Sequence, residues 1–170
     1  DAIDMGRNDS ATDDDVSDFC VVVKKRILGM DDPKYVAMYK FRPNDIRQAY
    51  DLTLKLLTWY NCKAMLEYTK ISIQTYFKEK GKGHLFMSRP DFASNSGSRK
   101  NPAKRLIGLP ATEAVIRHGL ELVGNFINDY WHTIDYEEML DQMLNYSYEN
   151  KRKFDIIASM AMALLADEEL

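Results

Sequence analysis

The chemistry open to this 170-residue chain rests on carboxylates at four positions. Asp1 and Asp4 open an acidic stretch that leads into Phe19-Cys20-Val21-Val22-Val23. Glu67 closes the apolar run Cys62-Lys63-Ala64-Met65-Leu66, where a charge is costly unless something pairs with it. Asp155 lies among Phe154, Ile156, Ile157, Ala158 and Met160. Hard divalent cations take oxygen ligands, and carboxylates converging from separate elements make a site for them. Two such ions can activate a water and stabilise the departing oxygen of a phosphodiester. Ordinary structural roles are equally open to these residues. Asp1 can be a chain end, Asp4 a turn former, Glu67 a cap for the next helix, and Asp155 a first-turn aspartate favoured by the helix dipole.

Other catalytic arrangements lack their signatures. No G-x-S-x-G elbow is present, and no G-x-x-x-x-G-K-[ST] loop exists to cradle ATP. His84, His118 and His132 show no metal spacing and read as ordinary, partly exposed histidines. Cys20 and Cys62 are too few for a disulfide scaffold. Met160 and Met162 read as core filling.

A formal net charge of −3 hides an internal polarity. Residues 1–18 hold seven aspartates against Arg7 alone. Residues 78–105 hold eight lysines and arginines, among them Lys82, Arg89, Arg99, Lys100, Lys104 and Arg105, against Glu79 and Asp91. An acidic locus attracts cations and a basic one attracts phosphates, although solvated charged loops are the commoner use of such runs.

These residues must be positioned by a folded domain. Hydrophobic residues make up 45% of the chain and aromatics 11%, enough for one core over residues 1–170. No run approaches the ~20 apolar residues that span a bilayer, so a soluble protein with no membrane partner is expected. The chain starts at Asp1 without an initiator Met or signal segment, which reads as a piece of something longer in a reducing, cytoplasmic setting. Residues 1–18 read as a loop. Strands are expected over Phe19–Val23, Tyr35–Phe41, Cys62–Glu67 and His84–Ser88. Helices are expected from an N-cap at Asn44 to Tyr60, over Ile71–Lys80, Thr112–Tyr130 and Tyr136–Tyr146, and from about Lys153 to Leu165. This order implies at least one parallel crossover. Residues 89–110 shift to Ser, Asn, Gly, Pro, Lys and Arg and read as a flexible basic loop.

Several stretches, taken in order, resemble the nuclease domain of phage large terminase subunits. They are Tyr35-Val36-Ala37-Met38-Tyr39-Lys40-Phe41-Arg42-Pro43, the Tyr60-Asn61 pair, the strand ending in Glu67, and Lys153-Phe154-Asp155-Ile156-Ile157-Ala158-Ser159-Met160. The opening Asp1-Ala2-Ile3-Asp4 is similar to the Asp-Pro-x-Asp with which that family leaves its first strand, with Ala2 in place of the frequent Pro. The resemblance implies an α/β, RNase H-like fold, a mixed five-stranded sheet flanked by helices, with its first strand upstream of Asp1. It implies that Asp1 (or Asp4), Glu67 and Asp155 bind two divalent ions, Mg²⁺ or Mn²⁺, and cleave double-stranded concatemeric DNA without a protein nucleophile. Lys82, Arg89, Arg99, Lys100, Lys104 and Arg105 would grip phosphates without reading sequence. The implied partners are the ATPase domain of the same subunit, absent from this chain, the portal and the small terminase subunit. The implied location is host cytoplasm, transiently at the procapsid. Two other readings stand beside it: a non-catalytic RNase H-like module that docks DNA or protein, and another RNase H-like enzyme such as a resolvase or integrase.

Overall fold

A computed structural model describes residues 19–25, 32–68, 70–93, 106–149 and 154–168, together with the backbone of residues 2–4. The fold is mixed α/β. Among the described residues, a four-stranded sheet in the order β3-β2-β1-β4 is built from β1 (Ala2–Asp4), β2 (Phe19–Lys25), β3 (Lys34–Phe41) and β4 (Met65–Leu66). In the antiparallel β1–β2 pair Ala2 faces Val22 and Asp4 faces Cys20, while Ala2 and Ile3 run parallel to Met65 and Leu66. β2 and β3 pair antiparallel from Phe19–Phe41 to Lys25–Lys34, with an irregularity at Val23/Lys24.

Two expectations about the sheet are corrected. Ala2–Asp4, expected within a loop behind a first strand upstream of Asp1, itself forms a strand inside the sheet. Three residues suffice there because strands on both sides supply hydrogen-bond partners. Nor does His84–Ser88 form a fifth strand. Gly83–Leu85 is a 3₁₀ turn, and only single bridges follow, Phe86 with Ala64 and Ser88 with Ile107. The tight exit from the preceding helix takes up the chain: the Lys82 N–H donates to the Phe77 carbonyl at 2.7 Å and Gly81 has φ +70°. The expected crossover is present as the parallel β1–β4 pair.

Five helices appear among the described residues: α1 (Ile46–Trp59), α2 (Ile71–Glu79), α3 (Glu113–Tyr130), α4 (Glu137–Asn145) and α5 (Asp155–Asp167). α1 is capped by Asp45, one residue after Asn44, through a bond from the Arg47 N–H. It ends at Asn61, whose φ of 50° lets the Cys62 N–H reach the Leu57 carbonyl at 3.1 Å and the Asn61 N–H reach Thr58. That is a Schellman stop, so Tyr60-Asn61 has a conformational role, turning the chain from α1 towards β4.

The sheet separates two apolar layers. Phe19 and Val21 pack with Ala49, Tyr50, Leu57, Ile73 and Phe77 on the α1–α2 side. Cys20 and Val22 pack with Ile156, Ile157 and Met160 of α5 on the other, backed by Val123, Phe126 and Met139 of α3 and α4. Covered on both faces, β2 reads as a continuous apolar run, with Phe19 to Val23 all buried. α5 lies between the sheet and two helices, so it buries Ile156, Ile157, Met160, Ala161, Ala163 and Leu165, more than the single stripe Phe154, Ile157, Ala161 and Leu164 that helical spacing alone predicts.

Candidate functional site

The direction of α5 follows from two contacts. The Ser159 hydroxyl donates to the Cys20 carbonyl at 3.4 Å near the start of β2, and Asp167 pairs with Lys24 near its end. α5 therefore runs along β2, against β1 and β4, and its first residue, Asp155, lies at the end of the sheet where β1 and β4 terminate. Asp4 is the last residue of β1, and Glu67 directly follows β4. The pairing of Ile3 with Leu66 makes Asp4 and Glu67 neighbours in register. Met65 packs with Leu165 and Ala166 on the α5 side, so strand alternation gives Glu67 the same face. Thus the backbone gathers Asp4, Glu67 and Asp155 at one sheet end, the carboxyl end of its parallel strands, where open α/β sheets bind ligands.

Glu67 is held by its backbone. It bridges to Leu109, the Tyr68 N–H donates to the Leu109 carbonyl at 2.7 Å, and the Leu109 N–H donates to the Leu66 carbonyl at 2.8 Å. Gly108 permits this approach: its φ is +79°, and a Cβ there would stand 2.3 Å from the Leu66 oxygen. The Glu67 side chain is 19% exposed, with Lys70 Nζ 3.9 Å from its carboxylate. The α2 N-cap is Lys70, so Glu67 lies outside the capping position. Asp155, 4% exposed, is the first residue of α5. Its N-cap, Phe154, makes no side-chain capping bond; instead Gln142 of α4 accepts the Ile156 N–H at 3.0 Å. Tyr146 packs on Phe154 at 5.1 Å between ring centres, and burial first, then Tyr148, raises its hydroxyl pKa, keeping it neutral.

A groove of about 590 Å³ opens beside this end of the sheet. Lys40 and Arg42 at the exit of β3 form one wall, Glu138 and Asp141 of α4 the other, and Gln142 and Ile156 lie between. Lys40 is the register partner of Cys20, itself opposite Asp4, so the groove continues the row of residues that ends at Glu67.

Of the other expected site residues, Lys82 is exposed beyond α2. Arg89 braces the chain beside Glu67, since its Nε donates to the Gly108 carbonyl at 3.0 Å and its guanidinium stacks 4.5 Å from the centre of the Tyr68 ring. The Arg89 N–H also donates to the Leu106 carbonyl at 2.7 Å, which holds these two described positions together. Asp1, Arg99, Lys100, Lys104 and Arg105 lie outside the described residues, as does the side chain of Asp4. Among the described residues no three His, Cys, Asp or Glu side chains form a metal-holding group. His118 and His132 pair with Glu168 and Asp32, each at 2.8 Å. No described helix is long and apolar enough to cross a membrane.

Sequence reasoning passed over Gln142, Gly108 and the groove wall of Lys40 and Arg42. Only the last had a signal, since Lys40-Phe41-Arg42-Pro43 belongs to the stretch that carries the family resemblance. No protein-family model matches the chain, and no curated protein is significantly similar to it in sequence.

Proposed function

We propose that the chain is an RNase H-like nuclease domain of a phage DNA-packaging terminase, a metal-dependent endonuclease acting on double-stranded DNA. The observation that carries this reading is the gathering of Asp4, Glu67 and Asp155 at one end of the sheet, from three segments far apart in sequence. The donor chemistry fits Mg²⁺ or Mn²⁺, which prefer carboxylate oxygens. Bound there, such ions would supply Lewis-acid activation of water and neutralise charge on the leaving 3′ oxygen. Glu67 and Asp155 are ligands in this scheme, with Asp1 or Asp4 completing the set. The strand bridge to Leu109 fixes the backbone of the first and the opening turn of α5 that of the second. Lys70 offsets part of the negative charge that the carboxylates bring together.

Duplex DNA would be held through its phosphates. Arg99, Lys100, Lys104 and Arg105 fall in sequence between Arg89 and Leu106, and they are the cations proposed to meet the phosphates. The ATPase domain of the same subunit, the portal and the small subunit are the partners, and the host cytoplasm, with transient residence at the procapsid, is the location.

Plasmid digestion with added Mg²⁺ or Mn²⁺ and with EDTA tests the reading. Glu67→Gln and Asp155→Asn should each lower metal-dependent nicking by at least about a hundredfold, as loss of a ligand that stabilises transition-state charge does. Their circular dichroism should stay that of the parent. Full activity in both variants would refute the site, and duplex binding without cleavage by the parent chain would favour the docking module.

A further inference from the structure

We infer that Gln142 is a positioning residue for the Asp155 carboxylate, an inference that rests on the metal-site reading above. The first turn of a helix carries N–H groups without partners inside the helix. In α5 the residue before Asp155 caps none of them with its side chain, and the Ile156 N–H goes to Gln142 Oε1 at 3.0 Å. This N–H belongs to the peptide unit that joins Asp155 to Ile156. Holding that peptide plane from a neighbouring helix fixes ψ of Asp155 and so limits the direction in which its side chain leaves the backbone. Asp155 is 4% exposed, so a misdirected carboxylate cannot be rescued by swinging into solvent. Gln142 also lines the groove that opens beside this helix end, together with Ile156, Lys40 and Arg42. It therefore connects the shape of the groove to the placement of the acid.

A two-ion site demands ligand placement within roughly half an ångström, which a single cap at this position can decide. Gln142→Leu keeps the bulk and removes the acceptor. Gln142→Asn keeps the amide but shortens it by one methylene. Gln142→Glu keeps an acceptor at the same reach. The full chain and each variant are titrated with Mn²⁺ alone, bound metal being read by the loss of the free-ion paramagnetic resonance signal, well below the unfolding temperature. Gln142→Leu and Gln142→Asn should weaken Mn²⁺ binding by about tenfold, and Gln142→Glu should stay within about threefold of the parent. A helix cap with a structural role alone would lower the melting temperature and leave the Mn²⁺ affinity unchanged, and that result overturns the inference. Asp155→Asn separates the two levels. If it weakens Mn²⁺ binding while Gln142→Leu and Gln142→Asn do not, only the role of Gln142 falls. If Asp155→Asn also binds like the parent, the metal site and the inference fall together.

Discussion

A methyl group on Gly108 would collide with the Leu66 carbonyl, and Ala at φ +79° is strained even in open space. The Leu109 N–H bonded to that same carbonyl holds the backbone around Glu67, so the collision would be felt at the candidate site. Gly108→Ala should destabilise the fold by at least about 2 kcal/mol. Thermal denaturation should show a drop of roughly 5 °C or more. An unchanged melting temperature would remove this close approach from the account of how Glu67 is held. Glu67 and Asp155 are legible in the sequence because a carboxylate inside an apolar run is conspicuous. Gly108 is not, since a glycine in a Gly-, Ser- and Pro-containing loop gives no sign of the strand that crosses it.

Helix α3 shows what an element's own pattern leaves open. Its stripe reads as Ile116, Leu120, Val123, Ile127 and Tyr130, yet the buried face is Val115, Gly119, Val123 and Phe126. The helix is turned so that Gly119 faces α5, where a Cβ would come within 2.9 Å of the Ala161 Cβ and 3.2 Å of Leu165. Hydropathy assigns little to a glycine, so a contact made by the absence of a side chain escapes the periodicity. Gly124, five residues on in the same helix, would have its Cβ in open space. Gly124→Ala should therefore stabilise the protein by about 0.5–1 kcal/mol through helix propensity. Gly119→Val should destabilise it by about 2 kcal/mol through overpacking. Urea denaturation of the two variants checks both signs, and equal effects would show that α3 and α5 are not in close contact at Gly119.

Charge is the property that belongs to the whole molecule. The net of −3 describes neither the aspartates before Phe19 nor the lysines and arginines between residues 78 and 105. If the basic segment holds duplex phosphates, the logarithm of affinity should fall linearly with the logarithm of salt. Replacing Arg99, Lys100, Lys104 and Arg105 by Gln should then flatten that slope by about three to four units. The melting temperature should not move. Fluorescence anisotropy with a short duplex at several salt concentrations measures the slope, and an unaltered one would assign the phosphate contacts elsewhere, with Lys40 and Arg42 the next residues to test.

By itself the sequence determines the helices, the long strands β2 and β3, the stop at Gly81, and the carboxylates worth watching. These follow from hydrophobic period, cap chemistry and backbone freedom, all of which act within a few residues. Only the tertiary structure decides that Ala2–Asp4 is a strand inside the sheet, that His84–Ser88 is not one, and that α5 begins where β1 and β4 end. Strand pairing and helix docking join segments tens of residues apart. Their free energy comes from partners whose identity no local window contains, so the meeting of Asp4, Glu67 and Asp155 at one sheet end becomes visible only when the chain is folded.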